Sequence, residues 1–453
     1  MRAKGLLLLF MCVPVLVSGY SFYQDYYYTM GDPVFGVNAR QLALAGSTGL
    51  IPDGAASLVN NPAYLGLNKR ITFQVNAEMA SVSEEVRTLF SEDNEDLQNN
   101  SFIVWGYDNI GLSYPVADFL ILGAGYYKYM DLNYQYNFYE YTFNDDLGSS
   151  GEYVRTGISR YEKKGDIKKI PIGVSADIRE TLLFGFSYNV IRGSGEEFYT
   201  KDIFTNRNDP YIESDSTYRS GSISAGLVIR VTRGISLGGY FETGAEMKID
   251  SQVRAGLEST NQQQEEKISS VIKYPSRLGL NISIQPHDAY SSSITADIRL
   301  NNWKGASVRI DDFSGDYPAA VTSQTDIYHY RKETRLSEVC SGLRDVLEFS
   351  FGAEHVFPMG QNVKMPVRYG FLYRPSPFSR DVQLTAVSLG AGLQLVPYRK
   401  LLMEIDFGYL YGVREVIDYQ EGLYPAVLAG DSAFIRKIKE NFNIFMLSIT
   451  VKY

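Results

Sequence analysis

The C-terminal segment of the chain alternates strictly between apolar and polar side chains. Its odd-numbered positions form one apolar face: Phe445, Leu447, Ile449, Val451 and Tyr453. Its even-numbered positions include the polar residues Ser448, Thr450 and Lys452. This period of two predicts a β-strand with one apolar and one polar face. The segment is also long enough to cross a bilayer as a tilted strand, which takes about 9–11 residues.

Comparable segments recur along the chain, and we count fourteen of them: 71–80, 102–115, 119–138, 167–178, 181–192, 221–232, 235–253, 277–286, 291–303, 346–357, 363–375, 384–396, 400–416 and 442–453. The connections between them alternate between tight turns, as at 233–234 and 397–399, and mostly long loops. An even number of strands with this sidedness is typical of an outer-membrane β-barrel that has both termini in the periplasm. A soluble sandwich or propeller has shorter strands and no reason to segregate its loops by length.

An open sheet edge cannot persist in hydrocarbon, because no water is present to satisfy its backbone groups. The first and fourteenth strands must therefore pair with each other. We predict an all-β fold, a 14-stranded antiparallel transmembrane β-barrel over residues 71–453.

The N-terminus indicates export. Arg2 and Lys4 precede the apolar run "LLLLFMCVPVLV", which is too short to span a bilayer, and small residues follow it up to Gly19. This pattern predicts a signal peptide over residues 1–19. Of the two cysteines, only Cys340 lies beyond it, so no intramolecular disulfide is expected. Together with the strand pattern, export predicts the outer membrane of a Gram-negative bacterium.

Charge and histidine spacing exclude several classes of function. The full chain has 43 basic and 52 acidic residues, which argues against a nucleic-acid partner. Its three histidines, His287, His329 and His355, show no spacing typical of a metal site or a catalytic motif. We therefore predict no catalytic residue, no metal and no cofactor. A hydrolase site assembled across several strands is the alternative.

Residues 20–70 lack the alternation but carry helix signals. Asn38 can cap "ARQLALA", and Asp53 can cap "GAASLV". In "NNPAYLG", Asn61 can act as an N-cap and Pro62 suits the first helical position. About fifty residues of short capped helices ahead of the first strand predict a hatch inside the lumen.

The stretch "LALAGSTGLIPDGAASLVNNPAYLG" resembles the N-terminal hatch of the FadL family, outer-membrane channels for long-chain fatty acids and other hydrophobic molecules. "YPSRLGLNISIQPHDAYSSSITADIRLNNW" and "FGAEHVFPMGQNVKMPVRYGFLYRPSPFSRDVQLTAVSLGAGLQLV" are similar to later parts of that family. The resemblance covers about half of the chain and implies passive uptake of a hydrophobic ligand past a movable hatch. PorV-type barrels share a similar Asn-Pro turn, so a role in protein secretion or docking is the alternative.

The resemblance also implies ligand-binding residues. The family's N-terminus reaches the ligand pocket, which assigns Tyr20, Phe22 and Tyr23 to its aromatic wall; a tail anchored at the membrane interface is the alternative. A carboxylate-headed ligand would need a cation. The candidates on the predicted lumen face are Arg277, Arg299 and Arg368. Mixed charges on that face more often form a structural ladder.

Two further features of the resemblance concern gating. Asn61, Pro62 and Ala63 would fix where the hatch joins the first strand, or would form only a capped joint. Gly123 and Gly125 would kink the third strand, where the family has a lateral opening; glycines also serve packing and twist. The implied partners are the outer-membrane bilayer, a hydrophobic small molecule and, during biogenesis, the barrel-assembly machinery.

Overall fold

The computed structural model describes twelve stretches of the chain: residues 32–48, 53–91, 94–144, 152–179, 181–203, 210–257, 263–286, 292–314, 343–377, 382–398, 401–419 and 435–453. The predicted signal peptide and Tyr20, Phe22 and Tyr23 lie outside these residues, as do Cys340, His287 and His329. Within the described stretches, no helix is long and apolar enough to cross a membrane.

The described strands, in chain order, are β1 (Asp32–Pro33), β2 (Thr72–Ser91), β3 (Asn94–Ala117), β4 (Leu120–Asp131), β5 (Tyr134–Asn144), β6 (Glu152–Ile178), β7 (Leu182–Ile203), β8 (Pro210–Arg230), β9 (Ile235–Glu242), β10 (Glu246–Leu257), β11 (Gln263–Lys273), β12 (Arg277–Ile284), β13 (Ser293–Asn301), β14 (Ser307–Ser314), β15 (Val346–Pro358), β16 (Val363–Pro375), β17 (Gln383–Tyr398), β18 (Leu401–Tyr419) and β19 (Ile435–Lys452). The helices are α1 (Ala39–Ala43), α2 (Ser57–Asn60) and the 3₁₀ turns Gly54–Ala56, Pro62–Leu67 and Trp303–Gly305.

These strands form one closed antiparallel barrel of fourteen strands. Four barrel strands are interrupted, so that each consists of two segments: β4 with β5, β9 with β10, β11 with β12, and β13 with β14. β1 belongs to the N-terminal part of the chain. The barrel closes between the first and last strands, where β19 pairs with β2 from Ile435↔Leu89 to Lys452↔Thr72. The predicted fold and its closure are confirmed.

The strands are longer than their sequence pattern suggested. Each predicted segment corresponds to one barrel strand, but β6 begins at Glu152 and β7 continues to Ile203, both well beyond the predicted outer ends. Much of what was predicted as long loops is therefore strand, and only residues 92–93 separate β2 from β3. In these extensions several buried inward positions are polar, for example Lys163, Glu197 and Thr200, so the apolar–polar alternation that reveals a half-buried strand is lost there.

The face assignment of the last strand is confirmed. Leu447 is 45% exposed on the outer surface, whereas its neighbour Ser448 is 1% exposed and points into the lumen. The same outward apolar face continues around the barrel, for example at Phe186, Ile223 and Leu389. An apolar belt of this kind faces lipid.

Candidate functional site

The N-terminal part of the chain lies inside the barrel. We call residues 34–48 and 53–70 the inner segment. Asn38 caps α1 as predicted, since its side-chain oxygen accepts from the Gln41 N–H at 2.8 Å. The Ala39 N–H donates to Ser448 Oγ at 2.7 Å, which fixes the start of α1 to β19. All five residues of α1 are buried.

The Asn-Pro-Ala turn is a second point of attachment. Asn61 Oδ1 accepts from the Ala63 N–H at 3.0 Å, so the predicted cap forms, and Pro62 opens the turn Pro62–Leu67. Asn61 Nδ2 also donates to the Gly239 carbonyl at 3.2 Å, and Ser175 Oγ donates to the Ala63 carbonyl at 3.0 Å. The turn therefore bonds directly to two barrel strands. Its role in gating stays a prediction.

Several strand glycines make room for the inner segment. A Cβ on Gly185 would lie 2.1 Å from the Pro62 carbonyl carbon, one on Gly408 2.3 Å from the Ala39 oxygen, and one on Gly370 2.6 Å from the Leu44 carbonyl carbon. A Cβ on Gly123 would meet the Leu65 side chain at 3.0 Å. At these positions the backbone of the inner segment approaches the barrel strand more closely than a residue with a Cβ atom would allow.

Gly125 faces a side chain of its own strand: a Cβ there would lie 2.2 Å from the Tyr127 ring. Neither Gly123 nor Gly125 has a positive φ. The two predicted kink positions are therefore occupied by packing contacts, and whether they also permit a kink stays a prediction.

Arg368 holds an ion-pair network between wall and inner segment. Its guanidinium donates to Glu354 Oε2 at 2.5 Å and to Asp406 Oδ1 at 2.6 Å, and the residue is 1% exposed. Glu354 also accepts from Arg40 of α1 at 2.7 Å. These contacts neutralise Arg368 within the protein.

The other two predicted ligand cations differ in their surroundings. Arg299 donates to the Gly46 carbonyl and to Asp297 at 3.2 Å, and Asp297 in turn accepts from the Thr48 N–H at 2.6 Å, so Arg299 also holds the inner segment. The Arg277 guanidinium lies 5.4 Å from the centre of the Tyr129 ring. Arg277 thus borders an aromatic cluster, and contact of any of the three with ligand stays a prediction.

The lumen face changes along the barrel axis from a polar layer to an apolar band, and charged residues appear again farther out. On β19 the buried inward side chains are Thr450 and Ser448 at the inner end, followed farther out by Met446, Ile444 and Phe442, and then by Glu440 and Ile438. On β2 the buried series begins with Gln74, Asn76 and Glu78 and continues with Ala80, Val82, Glu84 and Val86. The inner segment ends this apolar region from below, since the Phe35 ring lies 6.1 Å from that of Phe442.

A second apolar cluster lies beside the breaks in the interrupted strands. It contains the aromatic side chains Tyr129, Tyr218, Tyr274 and Trp303, together with aliphatic residues of β6, β7, β10 and β11. A buried ion pair adjoins it, with Lys169 Nζ 2.6 Å from Glu242 Oε1 and 5.2 Å from the centre of the Tyr129 ring.

The sequence analysis did not find these lumen residues. A usable signal exists in "FNIFML", where both parities are apolar. Such a run indicates a strand that contacts apolar surroundings on both faces.

The ladder between β3 and β4 ends partway along the barrel. Its last pair is Ile110↔Tyr126; beyond it β3 pairs with β2, and β4 pairs with β6. The two edges meet again farther out, where the Asn137 N–H donates to Asn100 Oδ1 at 3.4 Å. We call this interruption the side window. On its inner side, β1 pairs with Met130 and Asp131 of β4.

Charged side chains close the side window. The Lys128 N–H donates to Asn109 Oδ1 at 2.7 Å across the gap, and the Lys128 ammonium contacts Glu78 Oε1 at 3.2 Å and the Asp131 carboxylate. Lys128, Glu78 and Asp131 are all buried. The window is therefore sealed by ion pairs in place of backbone hydrogen bonds.

Solved structures with similar architecture are a Pseudomonas aeruginosa FadL homologue, with TM-score 0.63 and 12% identity over 93% of this chain and 99% of that one, and the toluene transporters TodX of P. putida and TbuX of Ralstonia pickettii. TodX has TM-score 0.57 and TbuX 0.52; both are 14% identical, over 92% of this chain and 99% of theirs. No protein-family model and no curated sequence matches the chain. The chain therefore has the closed 14-stranded barrel fold of FadL-type proteins, as its sequence resemblance implied.

Proposed function

We propose that this protein is a passive outer-membrane channel for the uptake of hydrophobic compounds, with the inner segment as its hatch. The observation that carries the proposal is an apolar band of the lumen wall just outside the polar layer, formed by Met446, Ile444 and Phe442 on β19 and by Ala80 and Val82 on β2. The lumen of a porin-type barrel is polar and water-filled. An apolar lining favours a ligand that leaves water readily.

The side window offers such a ligand an exit. Below the apolar region the lumen is filled by the inner segment and by buried polar groups such as Asn76, Asp406 and Arg368. To pass this layer, an apolar molecule would have to leave its apolar contacts and separate polar groups that are hydrogen-bonded to each other, which costs free energy. The side window lies beside this layer, and separation of the Lys128 ion pairs would open it toward lipid. Sideways release would leave the ligand in the membrane.

The aromatic cluster supports two classes of ligand. Tyr129, Tyr218, Tyr274 and Trp303 can contact a monoaromatic hydrocarbon or the chain of a fatty acid. The nearby Arg277 would favour a carboxylate headgroup. Toluene is named for two structural neighbours, and long-chain fatty acids are the ligands that the family resemblance implies. We propose long-chain fatty acids as the first class to test.

The test is uptake by cells that make the protein, measured with a fluorescent long-chain fatty acid and, separately, with radiolabelled toluene. Ile444→Asn places an amide in the apolar lumen, whereas Ser83→Asn changes an exposed outward residue. We expect Ile444→Asn to reduce uptake severalfold and Ser83→Asn to leave it unchanged.

Uptake equal to that of cells lacking the protein, for both compounds, would contradict the channel. If the cells that lack the protein also failed to export proteins, the secretion role would be supported instead. Uptake of toluene without uptake of fatty acid would retain the channel and change its ligand class.

A further inference from the structure

A row of basic side chains runs across five neighbouring barrel strands, along the direction of the hydrogen bonds between the strands. In the cross-strand register, each residue of the row lies directly opposite the next one on the neighbouring strand. The row consists of Lys128, Lys168, Arg192, Arg219 and Lys248. Like charges directly opposite each other destabilise a sheet. The row therefore needs anions close to it.

Protein carboxylates supply anions at only one end of the row. Lys128 turns into the side window to reach Glu78, and Lys168 Nζ lies 2.8 Å from Asp166 Oδ2. Arg192, Arg219 and Lys248 are exposed, and none of them forms a salt bridge with any residue that the structure describes. Three adjacent cations thus face outward from the barrel without a neutralising partner in the described chain.

These cations lie at the outer boundary of the lipid-facing belt. On β7 the exposed apolar residues on the inner side of Arg192 are Phe184, Phe186 and Tyr188, and Phe198 lies farther out; Arg192 is the eleventh residue from the strand's inner end at Leu182. A tilted strand crosses the hydrocarbon in about 9–11 residues. Arg192 therefore reaches the level of the lipid headgroups, and Arg219 and Lys248 lie at or beyond it, as the twelfth and fourteenth residues from the inner ends of their barrel strands at Arg230 and Ile235.

A concave surface adjoins the row on its outer side. It forms a groove of about 650 Å³, and its lining includes hydroxyl groups and carboxylates: Ser194, Thr217, Ser269, Glu196, Asp215 and Asp250. Asp250 lies between Thr217 and Ser269 in register and accepts from Ser269 Oγ at 2.7 Å. Hydroxyl and carboxylate groups on a concave surface offer the donors and acceptors that sugar hydroxyls require.

We propose that this sector of the barrel binds a phosphorylated glycolipid of the outer leaflet. The acyl chains would lie on the apolar belt, a phosphate would contact Arg192, Arg219 and Lys248, and the sugar would occupy the groove. Arginine suits this role because its planar guanidinium binds phosphate through two parallel hydrogen bonds. The proposal requires the barrel to be in an outer membrane but does not depend on transport.

The test uses the full chain in detergent and measures binding of bisphosphorylated lipid A and of the same lipid without phosphates. A triple variant, Arg192→Gln, Arg219→Gln and Lys248→Gln, removes the unpaired cations. Its matched control, Arg87→Gln, Lys437→Gln and Lys439→Gln, removes three exposed cations from β2 and β19. We expect the triple variant to bind the phosphorylated lipid at least about tenfold more weakly, with the control like wild type.

A second variant, Thr217→Val, tests the groove while keeping all charges. It should weaken lipid A binding but leave any binding of inorganic phosphate unchanged. Heat-modifiable gel mobility verifies that each variant is folded. Equal binding of both lipid forms by wild type would overturn the proposal, as would equal losses in the triple variant and its control. If inorganic phosphate displaced bound lipid A as strongly as unlabelled lipid A does, the site would bind phosphate only, and the lipid assignment would be overturned.

Discussion

Lys128 Nζ lies 3.2 Å from Glu78 Oε1, and this contact joins β4 to β2 across a place where β3 and β4 no longer pair. β2 and β4 are not neighbours in the barrel, so the contact exists only because β4 departs from β3 beyond Tyr126. Asp131 shares the Lys128 ammonium. A buried ion pair at this position can act as a latch for the side window, since its loss leaves uncompensated charges in the gap.

Lys128→Met should open the side window locally. The change leaves Glu78 and Asp131 buried without their cation, and breaking a buried pair of this kind costs about 3–5 kcal/mol. Because the remaining ladders are intact, we expect the barrel to stay folded and the amides of residues 127–131 to exchange with solvent faster. Hydrogen exchange with mass spectrometry of the purified protein measures this.

The double variant Lys128→Met with Glu78→Gln is the control for that experiment. It removes a carboxylate along with the cation, so exchange at residues 127–131 should return partly toward wild type. Unchanged exchange in the single variant would mean that the pair does not hold the window.

Gly185→Ala should displace the inner segment without unfolding the barrel. The added Cβ would lie 2.1 Å from the Pro62 carbonyl carbon and 2.2 Å from the Ala63 nitrogen, so the turn must move. Overpacking of this kind costs about 1–3 kcal/mol. We expect higher conductance in planar bilayers than for wild type, because the inner segment would seat less tightly.

Gly106→Ala is the matched control, since a Cβ there meets no atom within 4 Å. If both variants conduct like wild type, the lumen is not sealed by the contact at Gly185. If both conduct more, the effect comes from strand backbone and not from the inner segment.

The barrel could be predicted because every membrane-crossing strand must place apolar side chains on the face that contacts lipid. Leu447 and Ser448 differ by one position and lie on opposite faces, and only one face may contact hydrocarbon. The extensions of β6 and β7 could not be predicted, because their buried inward positions include polar residues such as Lys163 and Glu197, so no apolar period is present in the sequence. The sequence therefore predicted the number of strands but not their lengths.

The candidate site was recoverable only in part. Local rules predicted caps at Asn38, Asp53 and Asn61, and those at Asn38 and Asn61 form. The predicted cap at Asp53 is wrong: its carboxylate makes no cap hydrogen bond and accepts instead from the side chains of Asn38 and Gln41. Contacts between distant positions could not be predicted from local rules: Arg368 meets Glu354, its partner in register on β15, and reaches across β17 to Asp406 on β18. The same holds for the unpaired row that contains Arg192 and Arg219, since adjacency across strands is set by register and not by sequence spacing.

Leu447→Arg should impair assembly of the barrel. Leu447 faces lipid as the sixth residue from the inner end of β19 at Lys452, about halfway along the 9–11 residues that cross the hydrocarbon. An arginine at the bilayer midplane costs about 2–4 kcal/mol. Its partner in register is Ala77 on β2, so both strands of the closing ladder are involved. Heat-modifiable gel mobility of outer-membrane fractions reports the folded amount.

Ser83→Arg is the control for that change, because Ser83 is exposed on the same two-strand ladder, opposite Asn441 and farther out. It should assemble like wild type. Equal yields for the two variants would place Leu447 outside the hydrocarbon.

The Asn-Pro-Ala turn should matter more for transport than for folding. Asn61 acts twice, as the cap for the Ala63 N–H at 3.0 Å and as a donor to the Gly239 carbonyl at 3.2 Å. Loss of the cap costs about 1 kcal/mol, which is too little to unfold a closed barrel. Asn61→Ala should therefore leave gel mobility unchanged while it alters conductance and uptake of a fluorescent fatty acid.

Asn61→Ser separates the two contacts, because serine caps a helical turn about as well as asparagine but has no amide to donate to the wall. If attachment to Gly239 holds the hatch, the serine variant should behave like the alanine variant. If the cap alone matters, serine should restore wild-type behaviour. Should both variants match wild type in conductance and in uptake, the turn is only a joint between the inner segment and β2, and gating must be sought elsewhere, first at the latch between Lys128 and Glu78.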